Sequence, residues 1–242
     1  MINKSKFRLY TTMLVLSFST AFLFEACGKE PQEPQEPKDP VGVITMTTKA
    51  SEVSFHIELT ARAGNSSNLT IDWGDGEVRK ITDATSNIFS RSYSDTSERR
   101  ITITGDNIKS LMCRNSQLTA LDVSRNTALE DLDCRNNQLT TLDVSNNTAL
   151  TRLDCNYNQI TKLDVSENSA LILISCVGNQ LTAPVLNDLF RILPNYSGLD
   201  GIGAAIFIST RINPGSEFNN PGTLDCDRSI AVKKGWVFRT DR

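Results

Sequence analysis

From Ile108 onward the apolar positions fall at a fixed interval. Aligned on cysteine, the chain reads IKSLMCRNSQLTALDVSRNTA from Ile108, LEDLDCRNNQLTTLDVSNNTA from Leu129, LTRLDCNYNQITKLDVSENSA from Leu150 and LILISCVGNQLT from Leu171. Cys113, Cys134, Cys155 and Cys176 therefore stand 21 residues apart. Each unit alternates apolar with polar residues, as in Leu132, Asp133, Cys134, which predicts a short strand with Leu132 and Cys134 inward and Asp133 toward solvent. One such unit cannot bury its own apolar face. Repetition predicts a solenoid in which parallel strands stack at about 4.8 Å and each leucine lies over its equivalent in the next turn. A second motif, LDVSxN, starts at Leu121, Leu142 and Leu163 and predicts another inward pair on the return side, such as Leu142 with Val144. Two asparagine files accompany the motifs, Asn137, Asn158, Asn179 and Asn126, Asn147, Asn168. Both are placed to satisfy backbone groups that water cannot reach, and Ser116 interrupts the first file in the first turn.

On either side of the repeats the pattern changes. Residues 41 to 105 carry short segments of period two, VITMTT from Val43, VSFHIEL from Val53, LTIDW from Leu69, IFSRSY from Ile88 and ITITG from Ile101, separated by turn residues. They predict a small antiparallel sandwich. After Leu181 the repeat stops, and Pro184 opens an amphipathic stretch with Val185, Leu189 and Ile192 on one helical stripe. A strand AAIFIS from Ala204, a helix from Asp225 to Lys234 and a closing GWVF complete residues 183 to 242 as an α/β cap over the last turn of leucines. The fold class expected is mainly β with some α: a small antiparallel β-sandwich, a short solenoid over 106 to 182, and the cap.

The consensus L-x-x-L-x-C-x-x-N-x-L resembles the leucine-rich-repeat pattern with cysteine at its third apolar position, over about four turns whose period lies in that family's range. It is most similar to the short-repeat, internalin-like or bacterial surface type, which implies a concave strand face used for binding. The run Ile71, Asp72, Trp73, Gly74, Asp75, Gly76 resembles the W-G-D-G hairpin of PKD-type, immunoglobulin-like domains, with Arg91, Ser92, Tyr93 where that family carries H-x-Y. The resemblance implies a tight Asp-Gly turn and a tryptophan in the core.

Lys4, Lys6 and Arg8 precede an apolar run from Tyr10 to Phe24 that is too short for a membrane span, so residues 1 to 26 read as an export signal. Leu23, Phe24, Glu25, Ala26, Cys27 resembles a bacterial lipobox, Glu25 departing from its pattern, and implies lipidation at Cys27. Cys27, Lys29 and Glu30 resemble the charged start of Bacteroidetes-type lipoproteins. This implies a place on the cell surface at the outer membrane, with periplasm-facing and secreted forms as alternatives. Residues 27 to 40, GKEPQEPQEPKDP after the cysteine, form a proline-rich tether extending about 3.1 Å per residue.

Charge and inventory narrow the chemistry. Removing residues 1 to 26 takes away three basic residues and one acidic one, moving the net charge from −3 to −5 and arguing against a nucleic-acid partner. Four ladder cysteines cannot close on one tetrahedral zinc, because the outer pair is roughly 14 Å apart at strand spacing. Adjacent rungs hold Cβ atoms too far apart for a disulfide, which wants about 3.8 Å, so the thiols read as small buried hydrophobes, Cys226 with them. His56, the only histidine, falls on the polar phase with Ser54 and Glu58. The sequence contains no histidine-dependent triad, metalloprotease motif, nucleophile elbow, P-loop or EF-hand loop. Gly201 and Gly203 lack the third glycine of a dinucleotide turn. Asp72 and Asp75 offer fewer oxygens than calcium needs and suit a turn.

The reading is a non-enzymatic, monomeric protein without metal or cofactor, meeting the membrane only through its anchor and binding a protein or glycan. A spacer or subunit of a surface complex is the alternative, and an atypical glycan-degrading enzyme a third class. The outward positions Arg114, Asp133, Arg135, Arg152, Asp154, Asn156 and Tyr157 form the candidate binding strip. Arginine and tyrosine are the types that most often carry interface energy.

Overall fold

A computed structural model describes residues 41–59, 69–82, 88–106, 108–199, 203–210 and 220–241. Cys27, the export signal and the tether lie outside these residues.

The period-two region yields β1 (Val41–Thr48), β2 (Glu52–Leu59), β3 (Leu69–Asp72), β4 (Val78–Ile81), β5 (Ile88–Ser92) and β6 (Arg99–Asp106). The repeats yield β7 (Ile108–Met112), β8 (Leu118–Asp122), β9 (Asp131–Asp133), β10 (Arg152–Asp154) and β11 (Leu173–Ser175). The C-terminal part adds α1 (Ala183–Ile192), β12 (Ala205–Thr210), α2 (Ser229–Val232) and β13 (Val237–Asp241).

These strands form two sheets, and neither closes into a barrel. The five-stranded sheet runs β4-β3-β6-β1-β8, all antiparallel. The eight-stranded sheet runs β13-β12-β11-β10-β9-β7-β2-β5, parallel from β13 to β7 and antiparallel beyond it. Its register places Leu111, Leu132, Leu153, Ile174, Ile206 and Phe238 in one inward row. Stacked apolar side chains of this kind bury only against neighbouring rungs, so each turn depends on the next.

The break expected between residues 105 and 106 is not a break in the fold. β8 pairs with β1 and β7 pairs with β2, so the period-two region contributes strands to both sheets beside the repeats. Ile44, Ile71 and Phe55 belong to the same buried cluster as Leu132, Leu153 and Leu186. The rings of Phe55 and Trp73 lie 5.3 Å apart, which joins β2 to the turn after β3.

The C-terminal part extends the sheet as well as covering it. β12 pairs in parallel with β11 and β13 with β12, at a spacing of 32 residues per rung. The helix expected from its stripe is present, with a shifted phase: Leu186, Leu189 and Phe190 are buried, whereas Val185 and Ile192 are only partly so. A start at Ala183 with Pro184 in the first turn sets that phase. The helix expected over 225 to 234 shrinks to α2. Gly235, at φ 84, follows it with its N–H bonded to the Val232 carbonyl, a left-handed stop that costs glycine little.

Candidate functional site

The strand face of the eight-stranded sheet is held by internal asparagines. Asn137 Nδ2 donates to the carbonyls of Cys113 at 2.9 Å and Cys134 at 2.8 Å, while its Oδ1 accepts from the N–H groups of Ser116 and Leu118 at 3.1 and 3.0 Å. Asn158 and Asn179 repeat the pattern one and two rungs on. Sequence reading ended this file at Asn179. Asn220 extends it, donating to the Cys176 carbonyl at 2.8 Å and accepting from the N–H groups of Asn179 and Leu181 at 3.2 Å. No 21-residue count reaches position 220, which hides this rung from the sequence. At the other end Ser116 passes the file to the antiparallel strands: its carbonyl accepts from Thr48 Oγ1 at 2.7 Å and its hydroxyl donates to the Ser54 carbonyl at 3.2 Å.

The candidate strip lies on this face with its charges paired to one another. Arg114 Nε meets Asp133 Oδ2 at 2.7 Å. Arg135 reaches Asp133 at 3.4 Å and Asp154 at 3.6 Å, and Arg152 reaches Asp131 at 3.5 Å. Asp133 is not solvent-facing as expected; two guanidinium groups leave it 6 % exposed. Asn156 departs further, at 1 % exposed. Its Oδ1 accepts from Ser175 Oγ at 2.8 Å and from Val177 N–H at 2.6 Å, because Asp154 ends β10 and the chain turns inward after it. Asn156 is therefore a scaffold residue. Arg114 and Arg152 remain exposed, with Arg135, Asp154 and Tyr157 partly so.

Two residues past each ladder cysteine the chain passes through the left-handed region. Asn115, Asn136, Tyr157 and Gly178 have φ of 53, 57, 52 and 64. Asparagine and glycine tolerate this conformation, whereas a bulky aromatic does so at a cost of about 1 to 2 kcal/mol. Tyr157 is the strained member of its column.

The remaining titratable groups have structural partners. Burial pushes the thiols of Cys113 and Cys176 up to about 12 and raises those of Cys134 and Cys155 well above the ordinary range, so none is a nucleophile at neutral pH. Cys226, expected to be buried, is half-buried. In the W-G-D-G turn Asp72 Oδ1 accepts from Gly74 N–H and Asp75 Oδ1 from Glu77 N–H, both at 3.0 Å, and Asp75 pairs with Arg91 at 2.7 Å. A Cβ on Gly74 would come within 2.5 Å of the Arg100 carbonyl, which explains the glycine. Trp73 is buried and the Tyr93 hydroxyl donates to its carbonyl at 2.9 Å. Among the described residues no three His, Cys, Asp or Glu side chains converge as metal ligands, and no helix is long and apolar enough to cross a membrane.

Sequence reading missed a groove of about 560 Å³ on the same face, where β2 and β5 meet the first repeat turn. His56, Ile88, Met112, Arg114 and Gln117 line it. The signal was available, since Ile88 follows the polar phase of its strand, but the β2–β7 pairing that brings Ile88 and Met112 to one row is not.

No protein-family model matches the chain, and no curated protein matches it. Among solved structures it is similar to the functional domain of InlJ from Listeria monocytogenes, described as including a cysteine ladder. The two are 34 % identical over 52 % of this chain and 24 % of that one, with a TM-score of 0.37. It is also similar to an internalin, InlF, from Listeria monocytogenes str. 4b F2365, at 19 % identity over 54 % of this chain and 34 % of that one, with a TM-score of 0.38. The matches thus span about a quarter and a third of the length of those two proteins.

Proposed function

We propose that this chain is a non-catalytic binding protein of the cell surface, anchored through lipid on Cys27, that engages a protein or glycan with the strand face of its repeats. The observation that carries the reading is Tyr157. An aromatic side chain is kept, against backbone strain, on the face where neighbouring turns use asparagine or glycine. Strain of this sort clusters at functional sites because selection tolerates it there. Arg135 and Arg152 belong to the same strip, and arginine and tyrosine together are the composition of interface hot spots. The alternative, a spacer or subunit of a surface complex with no ligand on the repeats, draws support from the strip's own ion pairs, which neutralise it internally.

Two measurements test the proposal. Cells labelled with an alkyne fatty acid should tag the wild-type protein and not Cys27→Ser; equal labelling of both would remove the anchor. The full chain in detergent, screened against a glycan array and against cross-linked surface proteins, should yield a partner whose affinity falls in the double variant Arg135→Ala with Tyr157→Ala. Thermal stability of that variant should change little, because both side chains are partly exposed and Asp133 keeps its closer pairing with Arg114. Unchanged affinity for the whole partner would move the site off the strip.

A further inference from the structure

The strand face does not leave the same chemistry available along its length. At its centre the charges of Arg114, Asp133, Arg135 and Asp154 are taken up by one another. In the groove beside β2 the opposite holds. The side chains of Glu52, His56, Asn115 and Gln117 carry no intramolecular bond among the described residues, and Arg114 uses only Nε on Asp133 and Nη2 on the Met112 sulfur at 3.3 Å. Ile88 stands 66 % exposed on the rim, in register with His56 and through it with Met112.

The backbone of the rim is unusual too. Gln117 has φ 48, whereas its equivalents Gln138, Gln159 and Gln180 do not enter the left-handed region. Asn115, at φ 53, keeps the conformation of its own column, so Gln117 is the strained residue of this turn, and both line the groove. Ser116 between them is pinned to β1 and β2, so the rim is held in place. A preorganised, strained rim around unpaired polar groups and one exposed apolar side chain is the makeup of a recognition site.

We infer that this groove is the primary contact for an extended segment of a protein partner. An apolar side chain of the segment seats against Ile88 and Met112, while the amides of Asn115 and Gln117 bond its main chain. The inference rests on the strand face being a binding surface and narrows it to one end. Three features select a polypeptide. Each side-chain amide offers a donor and an acceptor that match a peptide group. Among the described residues the pairing of β2 with β7 begins only at His56 and the Ser54 carbonyl is taken by the Ser116 hydroxyl, so an extended segment can add main-chain hydrogen bonds at the Glu52 end of this edge. Among the described residues the lining holds no exposed tyrosine, tryptophan or phenylalanine on which a sugar ring would stack, Phe55 being buried.

The full chain in detergent is panned against a displayed library of random linear peptides, with a glycan array run in parallel. Selected peptides are then titrated against two variants whose thermal unfolding is checked first. Ile88→Ser with Gln117→Gly should weaken binding about ten-fold or more, as expected on losing a hot spot. A glycine adopts the native φ of Gln117 without strain, so Gln117→Gly alone serves, with a smaller loss of the same sign, should the double variant be destabilised. Arg135→Ala with Tyr157→Ala should leave these short peptides unaffected. Peptides lost in the strip variant and kept in the groove variant would overturn the groove and keep the surface as a binding face. Glycans bound in the groove would overturn the polypeptide assignment. Binding to neither library would overturn both this inference and the binding reading beneath it.

Discussion

Asn158 and Asn147 look alike in sequence, one on each asparagine file, yet their bonds differ. Asn158 Oδ1 is the partner of the Leu139 N–H at 3.0 Å, and its Nδ2 donates to the Cys134 and Cys155 carbonyls at 3.1 Å. Those carbonyls keep Asn137 and Asn179 as donors if Asn158 is removed, but the buried Leu139 N–H is left without a partner. An orphaned buried donor costs about 1 to 3 kcal/mol beyond the lost bonds, so Asn158→Ala should destabilise by about 2 to 4 kcal/mol. Asn147 Oδ1 is itself buried without a partner, so Asn147→Ala removes that unpaired acceptor along with its two donated bonds. Its cost in a denaturant titration should be clearly the smaller; equal costs would mean that the Leu139 N–H finds another partner. The cysteines make a second prediction at this scale. Native protein at pH 8 should leave Cys113, Cys134, Cys155 and Cys176 unmodified by iodoacetamide, with Cys226 reacting first, because desolvation holds the four ladder thiols protonated. Rapid alkylation of the ladder in the native state would contradict this packing.

At the scale of elements, the repeat was legible because one spacing recurs: a 21-residue period places Leu132, Leu153 and Ile174 in register without any knowledge of the fold. β12 and β13 were not legible as rungs, since their 32-residue spacing shares no motif with the earlier turns. Asn220 shows why, for its role depends on where the chain returns and not on its neighbours in sequence. The strip was half legible. Alternation assigns Asp133 outward but is silent on the arginines that close over it, and it fails at Asn156 because the strand has already ended. The return turns carry a pH prediction. Asp143, exposed, is held below the ordinary carboxylate range by the Ser145 N–H and hydroxyl, against the upward push of the like charges of Asp122 and Asp164. A depressed folded value means stability that is present above the unfolded value of about 3.9 and lost as pH falls through the depressed one. The melting-temperature gap between wild type and Asp143→Ala should therefore be widest between about pH 5 and 7 and close toward pH 2. A gap that stays constant on acidification would show that the turn does not depend on the ionised carboxylate.

For the whole molecule, the shared sheets decide how it folds. β7 lies between β2 and β9, and β8 adds to the edge at β1, so cutting the chain at 105/106 severs both pairings and exposes Ile108, Leu111 and Leu118, all fully buried. Exposing these three side chains alone forfeits about 1.5 to 3 kcal/mol each, an amount comparable to much of the stability of a typical domain. A stack of rungs this short cannot absorb the loss, because its rungs are stabilised by neighbours and the first rung would keep only β9. Residues 106 to 242 expressed alone should be unfolded or aggregated by circular dichroism. The intact chain should melt in one transition, with β-sheet and tryptophan signals coincident, since Trp73 and Trp236 report from opposite ends of the chain within one buried cluster. Two resolved transitions, or a folded 106 to 242 fragment, would show that the period-two region and the repeats are separate domains in contact, and the groove between β2 and the first turn would then be an interface and not a preformed site.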